Sequence, residues 1–235
     1  MSSVRSLDVQ ERSKFATPQR CAAMNRAIDA LCSRHPLGSS LLWRLRSTLA
    51  ETLRDPSDDV IEYLVARSYR HSNGFGRILV TSFDSSSFEV ALHFWPTLRQ
   101  VDADGLSRHT HRSSFVSQVI DGVLTEDRFR ESSSGATFEV FKSVPRKSSS
   151  PRTLPWLRTS GLLLEDRHVH GAETWYSLDA EIHNAYNVDT RPAITLCVSS
   201  APVRDALVYT RQTEYVSRGT PPLEASTIVS TLNSM

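Results

Sequence analysis

The chain has 235 residues, of which 39% are apolar and 23% are charged, so it is long and apolar enough to fold around a core. Its 27 basic and 26 acidic residues nearly cancel, which argues against a general attraction to nucleic acid or to a membrane surface. No apolar run approaches the roughly 20 residues that span a bilayer, and the segment Met1 to Lys14 lacks the apolar centre of a secretory signal. These features predict a cytoplasmic protein with no nucleic-acid or membrane partner.

Three cysteines, Cys21, Cys32 and Cys197, are too few for a disulfide framework and include no C-x-x-C pair. Cys21 and Cys32 are eleven residues apart in a stretch with a helical pattern, so they are poorly placed to bond to each other. A bound metal would therefore take most of its ligands from histidine.

The first part of the chain, residues 1–70, is predicted to be helical. Ser57 followed by Asp58 and Asp59 is typical of a helix start, because a capping hydroxyl and early acids both stabilise it. Before it, leucines recur at steps of three and four residues, which is the spacing of one apolar helix face. The leucines of this stripe are Leu41, Leu42, Leu45, Leu49 and Leu53.

From residue 71 the pattern changes to short runs rich in Val, Ile, Phe, Thr and Tyr, separated by turn signals such as Asn73-Gly74 and Ser134-Gly135. Many short strands at this spacing predict an antiparallel sandwich or barrel. We expect a mainly β region over 71–217, followed by a loosely ordered tail over 218–235. The expected strands are 77–82, 88–95, 114–120, 123–130, 138–144, 161–168, 174–178, 193–198 and 206–216.

The segment 142–160 differs from its surroundings because it contains five basic residues, five serines and three prolines but no acid. One interpretation is a mobile surface loop between two strands. The other is a lid whose arginines meet an anionic substrate or partner. The sequence leaves both open.

Candidate metal ligands begin with His109 and His111, which are one residue apart just before an apolar strand. Side chains alternate along a strand, so both imidazoles would lie on one face and could chelate one ion. Gly122 follows at an expected hairpin, and a lone His183 precedes Asn187 much later. His109 and His111 are therefore candidate ligands of one ion, whereas His183 taken alone could equally be a buried histidine with no metal; the order of motifs described below implies that it is the third ligand.

Two further histidine positions are weaker candidates. His168 and His170 form the same H-x-H pattern as His109 and His111, but no glycine hairpin follows them. We therefore interpret this pair as the end of a strand. His93 lies beside Trp95 in an expected strand, where a place in the core or next to the ligands is more typical than a ligand role.

The order of these histidines resembles the two cupin motifs, H-x-H with a following glycine and H-x-x-x-N. Shorter matches narrow the likeness to the cysteine dioxygenase family over roughly residues 75–205. The resemblance implies a cupin-type antiparallel β-barrel, or jelly roll, with N-terminal helices packed against it. It also implies that the three histidines bind Fe(II) and that the enzyme uses this iron to add dioxygen to a small thiol. The short matches are Phe88–Trp95, Ser114, Gly122–Glu126, Arg191–Ala193 and Ser200–Pro202.

The resemblance also assigns residues around the metal. Arg77 occupies the position of the family's substrate-carboxylate arginine, and Phe75 that of the tyrosine two residues before it. An arginine can clamp a carboxylate with two parallel hydrogen bonds, although Arg77 could equally be an ordinary exposed strand arginine. Asn187 has two open roles, orienting the site or closing a turn.

The chain departs from the family at several positions. The family's cysteine that crosslinks to a tyrosine would fall at Phe115 or Val116, and that tyrosine aligns with Ser199. Cys197 replaces a histidine that lies next to the ligands in the family. The general cupin glutamate would also fall near Phe115, and cysteine dioxygenases lack it as a ligand too. We therefore expect no crosslinked Cys–Tyr cofactor and a substrate other than cysteine itself.

Taken together, the sequence predicts a non-heme Fe(II)-dependent oxygenase or oxidase of the cysteine dioxygenase-like type. It would use dioxygen on a small amino-acid- or thiol-like substrate. Imidazole also suits zinc and nickel, so the alternatives are a non-oxidative metal-dependent cupin (isomerase, lyase or hydrolase) and a cupin that only binds. The substrate, the product and the oligomeric state, monomer or dimer, stay open.

Overall fold

The computed structural model describes residues 19–82, 88–97, 108–143, 152–217 and 221–234. These residues form a mainly β protein with two large antiparallel sheets and four helices. None of these helices combines the length and the apolar character needed to cross a bilayer. The helices are α1 (Gln19–Arg34), α2 (Ser39–Thr52), α3 (Asp58–Arg67) and α4 (Ala225–Asn233).

The leucine stripe predicts α2 correctly. Leu41, Leu42, Leu45 and Leu49 have no exposed surface, and Leu53 just after the helix is 3% exposed. Burying one side of a helix in this way is the main source of its stability, because an isolated helix of this length is marginal in water.

Ser57 occupies the N-cap position of α3, as its sequence predicts. Its hydroxyl, however, donates to Asp59 Oδ1 at 2.5 Å and does not bond to a backbone amide. The three cysteines are free and buried, and Cys21 and Cys32 both lie on α1.

The first sheet has the strand order β1-β2-β3-β11-β5-β9, and the second has β10-β4-β12-β6-β8, with β10 also pairing with β6. A separate two-stranded sheet joins β13 to β7. The strands are β1 (Tyr69–Arg70), β2 (Gly76–Thr81), β3 (Glu89–Trp95), β4 (Arg108–His109), β5 (Phe115–Asp121), β6 (Leu124–Ser143), β7 (Arg152–Thr153), β8 (Trp156–His170), β9 (Trp175–Leu178), β10 (Ile182–Tyr186), β11 (Ala193–Ser199), β12 (Ala206–Thr210) and β13 (Val216–Ser217).

The six-stranded sheet separates two cores. Ile78, Leu92 and Leu196 are cross-strand neighbours on its outer face, and they pack in one cluster with the helices. Phe115 and Cys197 lie on the inner face, in a second cluster that also contains residues of β6 and β10 from the other sheet. Side chains of a strand alternate between faces, so one sheet supports both cores.

Gly122 forms the turn that carries the chain from β5 in the first sheet to β6 in the second. Its φ of 80° lies in the left-handed region, and an added Cβ would be 2.8 Å from the Cα of Ala193. The glycine turn is confirmed, but the expected hairpin is wrong, because β5 and β6 lie in different sheets and do not pair.

One long strand, β6, replaces the two strands expected at 123–130 and 138–144. The turn expected at Ser134-Gly135 is a bulge, in which Leu162 of β8 lies opposite both Glu131 and Ala136. Glycine suits this bulge because a Cβ on Gly135 would lie 2.4 Å from the Leu162 backbone.

The structure changes three expectations about where the helical region, the cationic segment and the C-terminal tail begin and end. In the helical region 1–70, residues 1–18 lie outside the described residues and 69–70 form a strand. In the cationic segment 142–160, residues 144–151 lie outside them, while the flanks belong mostly to strands. The tail 218–235 contains α4, which buries Ile228 and Leu232 against the core, so the expectation of a loosely ordered tail was wrong there.

Candidate metal centre

Three histidines from separate parts of the chain meet between the sheets. His109 ends β4, and His183 lies on β10, whose antiparallel pairing with β4 places the two residues directly opposite each other. His111 follows β4 outside any strand, so the expectation of two histidines on one strand was wrong. The backbone between them is held because the Thr110 N–H donates to the Leu207 carbonyl at 3.0 Å.

The three rings converge closely. Their centroids are 4.8 Å apart for His109 with His111 and with His183, and 4.9 Å apart for His111 with His183. The Nε2 atoms of His111 and His183 are 2.7 Å apart, and one ligand nitrogen from each residue lies within 4.8 Å of the others.

These distances allow a shared ion. Two nitrogens on one ion, each about 2.1 Å from it, can be at most about 4.2 Å apart. Three nitrogens on one side of an ion lie closer still, roughly 3.0–3.4 Å apart. The widest separation, up to 4.8 Å, must therefore close by more than about 1 Å through side-chain rotation. The cluster could hold a metal ion through three imidazoles.

The protonation of His111 suits this role. Burial of its ring, followed by the neighbouring His109 and His183, lowers its pKa well below the ordinary value. Metals bind the neutral imidazole, so a histidine that stays uncharged near neutral pH does not have to lose a proton before it binds.

The carboxylate of Glu126 lies next to the Nδ1 atom of His183. This carboxylate has no exposed surface and lies 3.6 Å from His183 Nδ1, slightly beyond a hydrogen bond. His170 Nε2 and Arg128 Nε each lie 2.9 Å from it. Burial alone would raise the pKa of Glu126, but the hydrogen bonds from His170 and Arg128, together with the nearby His183 ring, hold it well below the usual range. A carboxylate behind a ligating histidine fixes the ring orientation and the tautomer.

The second H-x-H pair therefore has a different role from the first. His170 contacts Glu126, and His168 lies 3.1 Å from the Asp166 carboxylate. The expected strand end is confirmed, because β8 ends at His170.

Asn73 and His71 are site residues that the sequence did not single out. Asn73 Nδ2 is 3.3 Å from Nδ1 of His109, and the Asn73 backbone N–H donates to Nδ1 of His71 at 3.2 Å. The Asn73-Gly74 pair signals a turn, and a turn does form there. Nothing in that signal indicates that the amide side chain would reach a metal ligand.

Aromatic rings form one wall of the site. Phe75 stacks on His71 with centroids 4.5 Å apart and packs at 4.4 Å against Trp95. Phe115 meets His111 edge-on at 4.6 Å. Tyr176, another residue not singled out from sequence, packs at 6.2 Å from Phe115. These rings cover one side of the group, while His109 and His111 are partly exposed and His183 is buried.

Arg77 lies on the inner face of the six-stranded sheet, opposite His93 in the β2–β3 ladder. Its guanidinium pairs with Glu89 and donates to the Tyr69 hydroxyl at 3.2 Å. Burial opposes the charge of Arg77, but Glu89, Tyr69 and Cys197 together outweigh it and raise the pKa. Arg77 is also among the groups that lower the pKa of His111. It is therefore a largely buried cation with its own counter-ion, not the exposed strand arginine of the alternative interpretation.

The other positions assigned from the sequence lie around this centre. Burial raises the pKa of Cys197 to about 11, and its Sγ is 3.9 Å from the Ser199 hydroxyl. Burial lowers the pKa of His93 well below its ordinary value, and its ring packs at 4.7 Å from Phe75.

Asn187 has the turn role. Its amide nitrogen donates to the carbonyls of Arg191 at 2.7 Å and Trp95 at 3.3 Å, and its oxygen accepts the Asp189 N–H at 2.8 Å. It therefore ties the loop after β10 to the end of β3.

No protein-family model matches the chain, and no curated protein matches it. The resemblance to cysteine dioxygenases therefore stays a prediction from short motifs.

Proposed function

We propose that this protein is a non-heme Fe(II)-dependent oxygenase or oxidase, built on a cupin-type jelly roll in the cytoplasm. The observation that carries the proposal is the convergence of His109, His111 and His183 between two antiparallel sheets, with no carboxylate in the ligand group. Three imidazoles on one side of an ion leave positions open on the other side for substrate and dioxygen. A core cluster shared by both sheets supports the barrel architecture.

The protein residues have separable tasks in this proposal. The three histidines would hold the ion, and Glu126 would keep His183 oriented with Nε2 towards it. When bound, Fe(II) supplies the one-electron chemistry that dioxygen needs to react with an organic molecule. Phe75, Phe115 and the rings around them would limit the access of bulk water on their side of the centre.

The Arg77–Glu89 pair favours an amino-acid-like substrate. The two side chains are about equally exposed, 20% and 18%, and offer opposite charges side by side. A zwitterion can match both, with its carboxylate on Arg77 and its ammonium group on Glu89, and keep each charge paired. A substrate with only a carboxylate would have to compete with Glu89 for the guanidinium.

Cysteine itself is not the proposed substrate. Phe115 and Ser199 stand where the resemblance places the crosslinked cysteine and tyrosine, so that crosslink has no partners at these positions. We infer that the reaction differs from the oxidation of free cysteine.

The same three imidazoles are also a donor set for catalytic zinc, and they suit nickel. A non-oxidative cupin is therefore the second candidate, and the metal content together with oxygen consumption separates it from the first.

The test uses protein purified without air. We expect about one iron per chain in the wild type and oxygen uptake with some member of a panel of small thiols and amino acids. His109→Ala should lose both. His168→Ala is the matched control, because it removes a histidine from the other H-x-H pair, and it should keep both.

Two results would contradict this proposal. Iron retained by His109→Ala would show that the ligand set is wrong. Zinc or nickel at full occupancy, with no oxygen uptake after reconstitution with iron, would favour the non-oxidative cupin.

A further inference from the structure

Strand β8 carries an unusual amount of exposed apolar surface. Of the eleven large apolar side chains exposed to solvent in the described parts of the chain, five lie on this one strand. They occur on both of its faces, since Leu163 and Leu164 are adjacent and are 36% and 46% exposed. The five are Trp156, Leu157, Leu163, Leu164 and Val169.

The backbone of β8 is also open along one side. It is the terminal strand of its sheet and pairs with β6 alone among the described strands. At 15 residues it is far longer than the two end strands of the other sheet, β1 with two residues and β9 with four. A long edge strand with exposed apolar side chains, whose outward amides and carbonyls pair with no described strand, can act as a template for another strand, and proteins normally shorten or cover such edges.

The sequence of β8 complements itself when it runs antiparallel to a second copy. Its centre contains the apolar run Leu162–Leu164, of which Leu162 would meet Leu162 of the partner, while Leu163 and Leu164 would lie opposite the small residues Gly161 and Ser160. The half before this run contains the cation Arg158 and no acid, and the half after it contains the acids Glu165 and Asp166 and one cation, Arg167. In the register centred on Leu162, Arg158 of each copy lies opposite Asp166 of the other, so opposite charges meet at both ends.

We propose that two copies of this chain form a symmetric dimer by antiparallel pairing of β8 with β8, which joins their five-stranded sheets into one continuous sheet. A two-fold axis through the strand centre makes every contact occur twice, as in other isologous interfaces. The charges favour a second copy of β8 over an unrelated strand. An unrelated strand would match Arg158 and Asp166 only if it happened to carry an acid and a cation eight residues apart. The proposal does not depend on the metal site.

The test begins with the mass of the full chain in solution across a dilution series, measured by sedimentation velocity. We expect the wild type to shift from the chain mass to twice that mass as concentration rises. Leu164→Lys places a charge in the centre of the pairing and should weaken association by more than about tenfold. Val203→Lys is the control, since Val203 is 72% exposed and lies outside β8, and it should dimerise like the wild type.

A charge exchange tests the register without burying a lysine. Arg158→Glu should weaken the dimer several-fold, because it sets two acids against each other at both ends. The double variant Arg158→Glu/Asp166→Arg should recover most of the affinity. This recovery is expected even though both substitutions remove contacts within one copy. Arg158 pairs with Glu131, and Asp166 pairs with His168.

Hydrogen exchange gives an independent readout, since the outward amides of 156–170 should become protected only at concentrations where the dimer forms. A wild type that stays monomeric would overturn the proposal, and so would concentration-independent protection of β8, which would mean that another part of the same chain covers it. A dimer that Leu164→Lys leaves intact would place the interface elsewhere. A double variant as weak as Arg158→Glu would exclude the antiparallel self-pairing.

Discussion

The two faces of the six-stranded sheet carry different kinds of side chain. The outer face is apolar and packs against the leucines of the helices, with Ile78 and Leu92 fully buried. The inner face carries Arg77, which is near enough to the candidate ligand His111 to lower its pKa, and beside Arg77 lie Glu89 and His93. Both faces support a core, but only the inner face also carries charged groups beside the candidate metal centre, so substitutions on the two faces should have distinct readouts.

The largest effect is expected on the outer side. Leu45→Ala removes a fully buried side chain and leaves a cavity, so the free energy of unfolding should fall by about 2–5 kcal/mol in urea titrations. The metal affinity of the folded protein should not change. Trp43→Ala on the same helix is the control, since Trp43 is 60% exposed and its loss should matter by no more than about 0.5 kcal/mol. Loss of metal affinity in folded Leu45→Ala would show that the two faces do not have distinct readouts.

The next largest effect is expected on the affinity for a metal ion. Glu126→Gln removes the negative charge behind His183, so the affinity for zinc in a competition with a chelator should fall by about 10–100-fold. Glu139→Gln changes a carboxylate on the same strand that bonds to Trp156 instead, and it should leave the affinity unchanged. An unaltered affinity in Glu126→Gln would mean that His183 is held without this carboxylate.

A smaller effect concerns pH. Burial keeps the pKa of His93 well below 6.5, so below about pH 6.5 the unfolded chain binds a proton that the folded chain does not. Stability of the metal-free protein should therefore fall as the pH drops below that value. His93→Phe should reduce this slope by about 1.4 kcal/mol per pH unit. Urea titrations at several pH values measure both slopes, and equal slopes would show that His93 is protonated in the folded state.

The smallest effect is expected at the surface pair Arg46–Glu173, which links α2 to the segment before β9. Glu173 is 54% exposed, so Arg46→Ala should cost less than about 1 kcal/mol. Added salt should shrink the difference in urea unfolding further, because it screens exposed charges. A loss as large as that of Leu45→Ala would mean that this contact, rather than the leucine stripe, holds the helix to the sheet.

Much of the fold could be predicted because its signals are local. The strands β2, β3, β5, β9 and β11 begin and end within a residue of the expected bounds. Ser134-Gly135 has the same local composition as a turn, yet it forms a bulge because β8 pairs with β6 on both sides of it. A glycine in a turn and a glycine under a neighbouring backbone look alike in sequence.

Parts of the site escaped prediction for the same reason. Glu126 is one polar residue of an alternating strand, and its role depends on His170 and His183, both more than forty residues away in the chain. Arg77 could be identified as a candidate, but its pairing with Glu89 depends on the β2–β3 ladder, which also decides what kind of substrate it can meet.

The sequence by itself determined the leucine stripe of α2, most of the strands and the pair His109 and His111, because apolar periodicity and histidine spacing are properties of short segments. His183 became a candidate through the order of motifs along the chain. Only the tertiary structure decided that these histidines meet. His109 and His183 are opposite each other because β4 pairs with β10, and His111 reaches them from beyond the strand end. Convergence depends on strand pairing between distant segments, and no local pattern specifies that pairing.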